Sequence, residues 1–329
     1  NSIINSLLYG TNWFYGSVTY SYPEYSSYWS SSSSTGYGPS TGTREPWSIH
    51  YEPTSAIDRT FISEIIKKWS NVANISFTQV SDNSLIVGDI RFAYSYLSDT
   101  STAVAWAYSP SPSASAGDIW FNSFGSDALN VFTQGSYEYF SVLHELGHAI
   151  GLKHPFESSP FVETIIPVAY DSQIYTIMSY SASPGDTTTS FTYYPTTPMV
   201  LDIQAIQYLY GVNTSYNAGN TSYSYTDSKT YFETIWDGGG EDSIDYTGYY
   251  SSTIDLRAGY GSTIGNRVSI VDATGHIKNS INNVWVAYGT VIENASGGHG
   301  NDIIIGNDED NMLSGGDGND TIYGGSGND

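Results

Sequence analysis

The 329-residue chain contains no cysteine, which rules out disulfide bonds and thiolate-ligated metal sites. Basic residues are also scarce: 10 Lys and Arg stand against 33 Asp and Glu, so the formal net charge is −23. A chain this anionic repels phosphate backbones, and nucleic acid is therefore not an expected partner. No apolar run approaches the roughly 18–20 residues that a membrane-spanning helix needs, and no signal-peptide core opens the chain. The composition fits an intracellular protein, or an exported one that is braced by something other than disulfides.

Apolar spacing indicates that residues 1–212 form an α+β domain. Residues 1–45 are rich in Ser, Tyr and Gly and are expected to form surface connections around short strands. Apolar residues at helical spacing predict three helices, at about 57–69, 137–150 and 199–210. Ser55 and Asp58 predict a capping pair before the first helix, and Gly211 predicts the end of the third. Alternating segments predict strands, at 47–51, 75–80, 89–94, 102–108 and 117–122.

Residues 213–329 follow a different pattern, without helical spacing and with abundant Gly and Asp. A nine-residue period starts at the first of four glycines in register, Gly297, Gly306, Gly315 and Gly324. The sixth position of each turn holds an acid or amide, namely Asp302, Asn311, Asp320 and Asp329. The eighth position is aliphatic, at Ile304, Leu313 and Ile322. A solvated Gly/Asp linker would show no such apolar register, so we predict an all-β repeat domain.

One motif suggests chemistry: His144-Glu145-Leu146-Gly147-His148, followed by His154. Residues four apart lie on one face of a helix, so His144 and His148 can present their imidazoles to one ion. Gly151 allows the chain to leave the helix in a conformation that is costly for other residues, and the next turn returns His154 to the same ion. Three neutral imidazoles with an open position suit one catalytic zinc, and Glu145, at the edge of that face, can act on a metal-bound water.

A five-residue HExxH match alone arises by chance in ordinary helices. The eleven-residue form is more specific, because it uses three of only six histidines. Met178 lies 24 residues beyond His154 and could supply an apolar floor to a zinc site. Taken alone, Met178 or Tyr180 would be a packed core residue, and the position downstream of the motif favours a role at the zinc site.

The segment from His144 to His154, followed by Met178, resembles the metzincin pattern HExxHxxGxxH with its Met-turn. Pro155 after the third histidine, the sequence Ile177-Met178-Ser179-Tyr180 and the terminal glycine repeats resemble the serralysins, bacterial secreted zinc proteases with a calcium-binding β-roll. The resemblance covers nearly everything after about residue 50. It implies a twisted mixed sheet with three helices, followed by a parallel β-roll.

The resemblance also implies roles for residues outside the histidine motif. Tyr180 would be a weak zinc ligand in the resting enzyme and would donate a hydrogen bond to the oxyanion during catalysis. The segment from Thr102 to Tyr108 would be the edge strand along which substrate aligns by strand addition. The expected substrate-binding residues of that strand are Ala103, Val104, Ala105, Trp106 and Ala107.

The repeats predict several structural calcium ions. Glycines permit the left-handed backbone that points carbonyl oxygens inward, and the sixth-position carboxylate lies between two turns. In the degenerate turn after Gly306, Asn side chains and main-chain oxygens replace the usual ligands. Calcium between turns would convert repulsion among the carboxylates into cohesion, which explains part of the net charge. The candidate ligands are Gly297, Gly298, His299, Gly300, Asp302, Asn307, Glu309, Asn311, Gly315, Gly316, Asp317, Gly318, Asp320, Gly324, Ser326 and Asp329.

By the same resemblance, residues 236–244 form an isolated calcium turn that shares its ion with residues 217–221. Glu293 would be a ligand beside Asp242, whereas Val291 stands where serralysins carry Thr and offers only a main-chain oxygen. The candidate ligands here are Asn217, Gly219, Thr221, Asp237, Gly239, Gly240, Asp242 and Glu293.

The sequence therefore predicts a secreted zinc endopeptidase with protein or peptide substrates, open to a proteinaceous inhibitor and expected to be a monomer. The resemblance implies type I export, a propeptide removed before Asn1, and further strands after Asp329. One alternative is a secreted calcium-roll binding or adhesion protein with a vestigial protease domain, although Glu145 and the three histidines are intact. Another is a narrow processing protease from a different metzincin branch, which Tyr180 and the repeats argue against.

Overall fold

The computed structural model describes residues 2–42, 45–96, 103–123 and 132–329. Two compact units emerge from its internal contacts, one of Asn1–Ile166 with Tyr208–Gly211 and one of Pro167–Gln207 with Val212–Asp329. The sequence placed a boundary after residue 212, whereas residues 167–207 group with the C-terminal part. Two contacts explain this grouping. Residues 190–191 pair antiparallel with residues 270–271, and the Thr196 amide donates to the Phe232 carbonyl at 2.8 Å.

The first unit is built on a mixed sheet. Its strands are β1 (Ser17–Ser21), β2 (Glu52–Pro53), β3 (Ser76–Gln79), β4 (Ile90–Ser95), β5 (Ala105–Ala107) and β6 (Ile119–Asn122). The order is β3-β1-β4-β6-β5, with β2 also pairing β4. The pairs from β3 to β6 are parallel, and β5 pairs antiparallel with β6 at one end of the sheet.

Within the described residues, the α-helices that accompany this sheet or follow it are α1 (Ser2–Asn5), α2 (Ala56–Val72), α3 (Tyr137–Ala149) and α4 (Val200–Tyr210). The three longer ones confirm the helices predicted from apolar spacing. The capping box before α2 is also confirmed, because the Ser55 hydroxyl accepts from the Asp58 amide at 3.2 Å and Asp58 accepts from the Ser55 amide at 2.8 Å. The Trp69 indole donates to the Leu143 carbonyl at 3.3 Å, which ties α2 to α3. None of the described helices has the length and apolar content to cross a bilayer.

Two expectations for the N-terminal region are wrong. Residues 47–51 form turns rather than a strand, because Trp47 and Tyr51 pack against an aromatic cluster around Trp29 and Trp120 instead of pairing in a ladder. Residues 1–45, expected to form surface connections around short strands, also contribute a strand to the interior of the sheet. Strand β1 is inserted between β3 and β4, and its Val18 is fully buried. The alternating apolar residues at 47–51 therefore belong to a loop whose aromatic side chains are packed in a cluster. The Ser- and Tyr-rich composition of residues 1–45 gave no indication of the central strand β1.

The second unit contains many short strands, namely β7 (Ser190–Phe191), β8 (Ser222–Tyr225), β9 (Glu233–Ile235), β10 (Ser243–Tyr246), β11 (Thr253–Asp255), β12 (Gly261–Ser262), β13 (Val268–Val271), β14 (Ile277–Ile281), β15 (Val284–Val286), β16 (Asn294–Ser296), β17 (Ile303–Ile305), β18 (Met312–Ser314) and β19 (Thr321–Tyr323). Two parallel sheets have the orders β18-β16-β10-β8 and β11-β17-β19. A third sheet, β12-β15-β9, is mixed, and a fourth, β14-β13-β7, is antiparallel.

The nine-residue repeat corresponds to half a coil of a parallel roll. Asn294 pairs with Met312 and Ile303 pairs with Thr321, so partners are 18 residues apart and successive repeats supply opposite sheets. The aliphatic stack lies between these sheets, within a core cluster that includes Ile244, Ile254 and Ile304. Ile304 is fully buried, Leu313 is half-buried and Ile322, on the outermost strand, is 45% exposed. The predicted all-β parallel roll is confirmed.

Candidate metal centre

Helix α3 presents the histidine motif because both of its ends are fixed. At its start, the Ser136 hydroxyl accepts a hydrogen bond from the Tyr139 amide at 3.2 Å. At its end, Gly151 has φ +110°, and a Cβ atom there would lie 2.6 Å from the Thr11 carbonyl oxygen. Glycine suits both the conformation and the close approach, so the chain turns sharply enough to bring His154 back to the helix.

The three predicted zinc ligands converge. The Nε2 atoms of His144 and His148 lie 3.2 and 3.0 Å from Nε2 of His154. Within the described residues, this is the group in which three side chains of metal-binding type offer ligand atoms within 4.8 Å of one another. Nitrogens at 2.0–2.1 Å around a tetrahedral zinc ion are about 3.3 Å apart. The donor atoms and their spacing therefore fit zinc.

The outer nitrogens of two rings are held so that Nε2 faces the cluster. Nδ1 of His148 donates to the Leu152 carbonyl at 3.0 Å, and Nδ1 of His154 donates to the Glu157 carboxylate at 3.1 Å. Because these oxygens only accept, the proton lies on Nδ1 and Nε2 keeps its lone pair. Burial lowers the pKa of His148, and it lowers the pKa of His154 to about 3. The rings are therefore neutral at physiological pH, as metal ligation requires.

Glu145 follows the first ligand on the same helix and is 9% exposed. It is not one of the three side chains of the ligand cluster. Burial raises the pKa of its carboxyl group to about 8. A carboxyl group whose pKa lies near neutrality is suited to accept and release a proton.

The predicted Met-turn lies in the second unit, where residues 177–178 form a turn. Met178 is fully buried and Tyr180 is 52% exposed. The segment is braced by the Ser179 hydroxyl, which donates to Asp171 at 2.7 Å, and by the Gln173 amide group, which donates to the Ser179 carbonyl at 3.1 Å. The turn is thus fixed while the Tyr180 ring stays accessible to solvent.

Asp202 supports this turn, a contact that sequence reasoning missed. An acid in the first turn of a helix usually interacts only with the helix dipole, yet Asp202 is fully buried and binds three groups. Its carboxylate accepts from the Thr176 hydroxyl at 2.6 Å, the Ile177 amide at 2.7 Å and the Met199 amide at 2.9 Å. An acid three residues into a helix is a signal for the Met199 contact. The contacts to 176 and 177 had no local signal.

We expect Asp202→Ala to lower the free energy of unfolding by about 3 kcal/mol, because it leaves two buried amides without an acceptor. Urea-induced unfolding would measure the loss. Glu64→Ala, an exposed helical acid, is the matched control and should change stability by less than about 0.5 kcal/mol. Equal effects of the two substitutions would contradict the supporting role of Asp202.

The predicted substrate strand is shorter than expected. Ala105, Trp106 and Ala107 form β5, whereas Ala103 and Val104 precede it and Thr102 lies outside the described residues. The Val104 carbonyl still accepts from the Asn122 amide at 2.8 Å, and the Ala103 carbonyl accepts from the Asn122 side chain at 3.0 Å. β5 is the terminal strand of its sheet within the described ranges and lies against α3, the helix that bears the histidines.

Around Asp242, the structure brings together the segments of the isolated turn. One carboxylate oxygen of Asp242 accepts from the Thr221 amide at 2.7 Å, and the Asp242 amide donates to Glu293 at 2.8 Å. The other oxygen is buried and has no hydrogen-bond partner among the described residues. Burial raises the pKa of Asp242 to about 6, and the nearby Asp237 and Glu293 carboxylates also raise it. A buried, unpaired carboxylate among other acids is the environment that a hard cation relieves.

Asp302 has the same signature in the repeats. One of its oxygens accepts from the Ser252 amide at 2.6 Å and hydroxyl at 2.9 Å, while the other is buried without a partner within the described ranges. The Asp302 amide donates to Asp320 at 2.9 Å, and the Asn311 amide donates to Asp329 at 3.1 Å. Sixth-position residues of turns 18 positions apart are therefore adjacent, and their chemistry fits calcium.

The remaining candidate calcium ligands lie in the turns between the strands. A Cβ atom on Gly297 would lie 2.7 Å from the Asp302 carboxylate, and Gly315 and Gly324 similarly face Asp320 and Asp329. Several others have positive φ, namely Asn217, Gly239, Gly240, Gly298, Gly316 and Gly318. Gly219, Gly300, Asn307, Glu309 and Ser326 lie in the same turns.

Some of the candidate side chains bind one another, as in the pairs His299–Asp317 and Asn311–Asn307. The His299 ring donates to Asp317 at 2.8 Å and stacks on Tyr249. The main-chain carbonyl oxygen of His299 is therefore the atom of this residue that would bind calcium. The Asn311 amide group donates to the Asn307 side chain at 3.0 Å and accepts from the Asn307 amide at 2.9 Å.

Two family models match the chain. Residues 59–192 match a model described as metallo-peptidase family M12, and residues 200–329 match one described as peptidase M10 serralysin C terminal. The first match includes the three histidines, and the second includes the roll.

Curated relatives agree with both matches. Serralysin of Proteus mirabilis is 33% identical over 90% of this chain and 60% of its own length. Serralysin B of Dickeya chrysanthemi is 36% identical over 73% of this chain and 51% of its own length, and serralysin C of the same organism is 38% identical over 73% and 51%. The chain thus spans somewhat more than half the length of these relatives. With its histidine cluster, its parallel roll and these matches, the chain belongs to the serralysin family of metallopeptidases.

Proposed function

We propose that this chain is a secreted zinc endopeptidase that hydrolyses peptide bonds in extracellular proteins. The observation that carries the proposal is the convergence of three imidazoles, from residues 144, 148 and 154, with Nε2 separations of 3.0 and 3.2 Å. Zinc held by three protein ligands is typical of catalytic sites, which keep a position open for water, whereas structural zinc sites use four protein ligands.

Hydrolysis follows from what the side chains of this chain can do. A bound zinc ion would supply Lewis acidity, which brings the pKa of a water toward about 7 and polarises the scissile carbonyl. Glu145 takes a proton from the attacking water and passes it to the leaving amine nitrogen. The Tyr180 hydroxyl donates a hydrogen bond to the oxygen that gains negative charge. The accessible ring of Tyr180 and the position of Glu145, next to the first ligand but outside the ligand cluster, support these assignments.

Strand addition would align the substrate along β5. The edge of a terminal strand binds an extended peptide through main-chain hydrogen bonds, which tolerate varied side chains. The residues that would form this surface are Ala103, Val104, Ala105, Trp106 and Ala107. Their position beside α3 supports the assignment.

Calcium ions would hold the turns of the second unit. The unpartnered oxygens of Asp242 and Asp302 support two such positions, and the remaining candidate ligands would supply mostly main-chain oxygens. A chain that folds only with calcium would stay unfolded in a low-calcium cytosol and fold outside the cell. Bacterial type I export fits this behaviour, and a proteinaceous inhibitor could bind the same strand as substrate.

The test is metal analysis combined with casein hydrolysis, with calcium kept in excess. We expect about one zinc per chain, loss of hydrolysis with a zinc-selective chelator, and recovery on adding about one equivalent of zinc. A folded, zinc-loaded chain that cleaves neither casein nor unfolded peptides would instead support a binding or adhesion protein with a vestigial protease domain. Hydrolysis that survives chelation would exclude the metal mechanism.

A further inference from the structure

The loop that carries the third zinc ligand contains a buried ammonium group. Lys153 directly precedes His154 and is 5% exposed. Its Nζ donates to the carbonyl oxygens of Ser6 at 2.6 Å, Thr164 at 3.1 Å and His154 at 3.3 Å, and also to that of Glu157. These contacts join the N-terminal segment to both sides of the ligand loop.

The surroundings of Lys153 distinguish it from a surface lysine. The contacts of Nζ are all to main-chain carbonyl oxygens, and the Lys153 amide itself donates to the Leu7 carbonyl at 2.8 Å. Burying an ammonium group is costly unless its donors are satisfied, and here four acceptors surround it. A group held in this way restrains the backbone around it, because its three N–H donors would lose their buried acceptors if these carbonyls moved away.

One of those fixed positions is Glu157, whose side chain reaches the third ligand. Its carboxylate accepts from Nδ1 of His154 at 3.1 Å, and the Phe156 ring lies parallel to the imidazole at a centroid distance of 5.3 Å. A carboxylate on the outer nitrogen fixes the tautomer and rotation of a ligating imidazole and increases its basicity. The hydrogen bond from the buried Lys153 ammonium group to the Glu157 carbonyl thus influences how Nε2 of His154 is oriented.

We propose that Glu157 is a positioning residue for the zinc ligand His154, and that Lys153 holds Glu157 in place through its main-chain carbonyl. The inference rests on the proposed zinc site and adds the groups that orient one of its ligands. Neither residue contacts the ion. Both act by limiting where the third imidazole can point.

The first experiment compares zinc affinity in Glu157→Ala and Glu163→Ala. Glu163 is an exposed acid in the same loop and serves as the matched control. Competition with a chromophoric chelator should show zinc binding weakened about 10- to 100-fold in Glu157→Ala and unchanged in the control. Glu157→Gln, which keeps an acceptor oxygen without the charge, should fall between Glu157→Ala and the wild type. The visible spectrum of the cobalt(II)-loaded protein should change in the Ala variant, because the ligand field reports the orientation of the third imidazole.

The second experiment tests whether Lys153 acts through Glu157. Lys153→Met should weaken zinc binding, and Lys67→Met, on the exposed face of α2, should not. The double variant Lys153→Met/Glu157→Ala should bind zinc no more weakly than the worse single variant, because both substitutions release the same imidazole. Fully additive losses would show that Lys153 supports the fold independently of Glu157.

The outcomes separate this inference from the proposed function. Failure of the wild-type protein to bind zinc would remove both. Tight zinc binding by the wild type, together with equal affinity and an unchanged cobalt spectrum in Glu157→Ala, would overturn the positioning role alone. Because Glu157 is largely exposed, its substitution should leave the fold intact, and circular dichroism would verify this.

Discussion

Substituting Glu145 with Ala is expected to abolish casein hydrolysis while zinc stays bound. The three nitrogen ligands come from His144, His148 and His154, so the metal affinity does not depend on the glutamate. The chemistry does depend on it, because the proton of the attacking water needs an acceptor and the leaving amine needs a donor. Loss of a general acid–base group lowers rates by about 10²- to 10⁴-fold.

The measurement is kcat/KM for a casein-derived peptide, alongside zinc content. Glu138→Ala, in the first turn of the same helix, is the matched control and should retain near wild-type turnover. If Glu145→Ala keeps substantial turnover at full zinc occupancy, another group transfers the proton. If it loses zinc, the glutamate contributes to the metal site instead.

Removing calcium is expected to unfold the second unit and to lower the melting temperature by about 10–20 °C. Two sites at a hundredfold excess over their dissociation constants would each contribute about 2.7 kcal/mol. In a domain of this size, each kcal/mol shifts the melting temperature by about 2–4 °C. The aliphatic stack is too thin to compensate, since Leu313 is only half-buried and Ile322 is 45% exposed. Without the ion, the buried Asp242 and Asp302 oxygens would also face other carboxylates unpaired.

Thermal unfolding followed by far-ultraviolet circular dichroism would test this, with zinc supplied throughout so that its loss is not confused with that of calcium. Adding calcium should restore the original melting temperature. Magnesium should not, because Mg²⁺ is smaller, prefers octahedral coordination and retains several of its waters. A melting temperature that does not respond to calcium would count decisively against structural calcium in this unit.

The sequence predicted features whose signal is local. The spacing of His144, His148 and His154 is set by one helix and the turn that follows it, and Gly151 lies where the chain leaves the helix. The three long helices and the nine-residue period could be predicted in the same way, from the spacing of residues along the chain. The period could not reveal that two repeats make one coil, because pairing over 18 residues is a property of the sheets.

Contacts between distant segments could not be predicted. Strand β1 is central because β3 and β4 pair with it, and nothing in residues 17–21 specifies those partners. The contacts of Asp202 with Thr176 and of Lys153 with Ser6 join segments 26 and 147 positions apart. In each case a polar residue that appeared solvent-exposed by type is buried, because its partners come from another part of the chain.

The alternation of half-coils constrains how the roll can change length. Residues nine positions apart occupy opposite sheets, whereas those 18 apart stack on one another. Deletion of nine residues would move every later strand to the opposite sheet of the roll. Each acidic turn would then no longer lie next to the turn 18 residues away with which it is now paired. Loss of 18 would restore equivalent neighbours at the join. Evolution should therefore lengthen or shorten this part of the molecule in whole coils, as in other solenoids built from nearest-neighbour contacts.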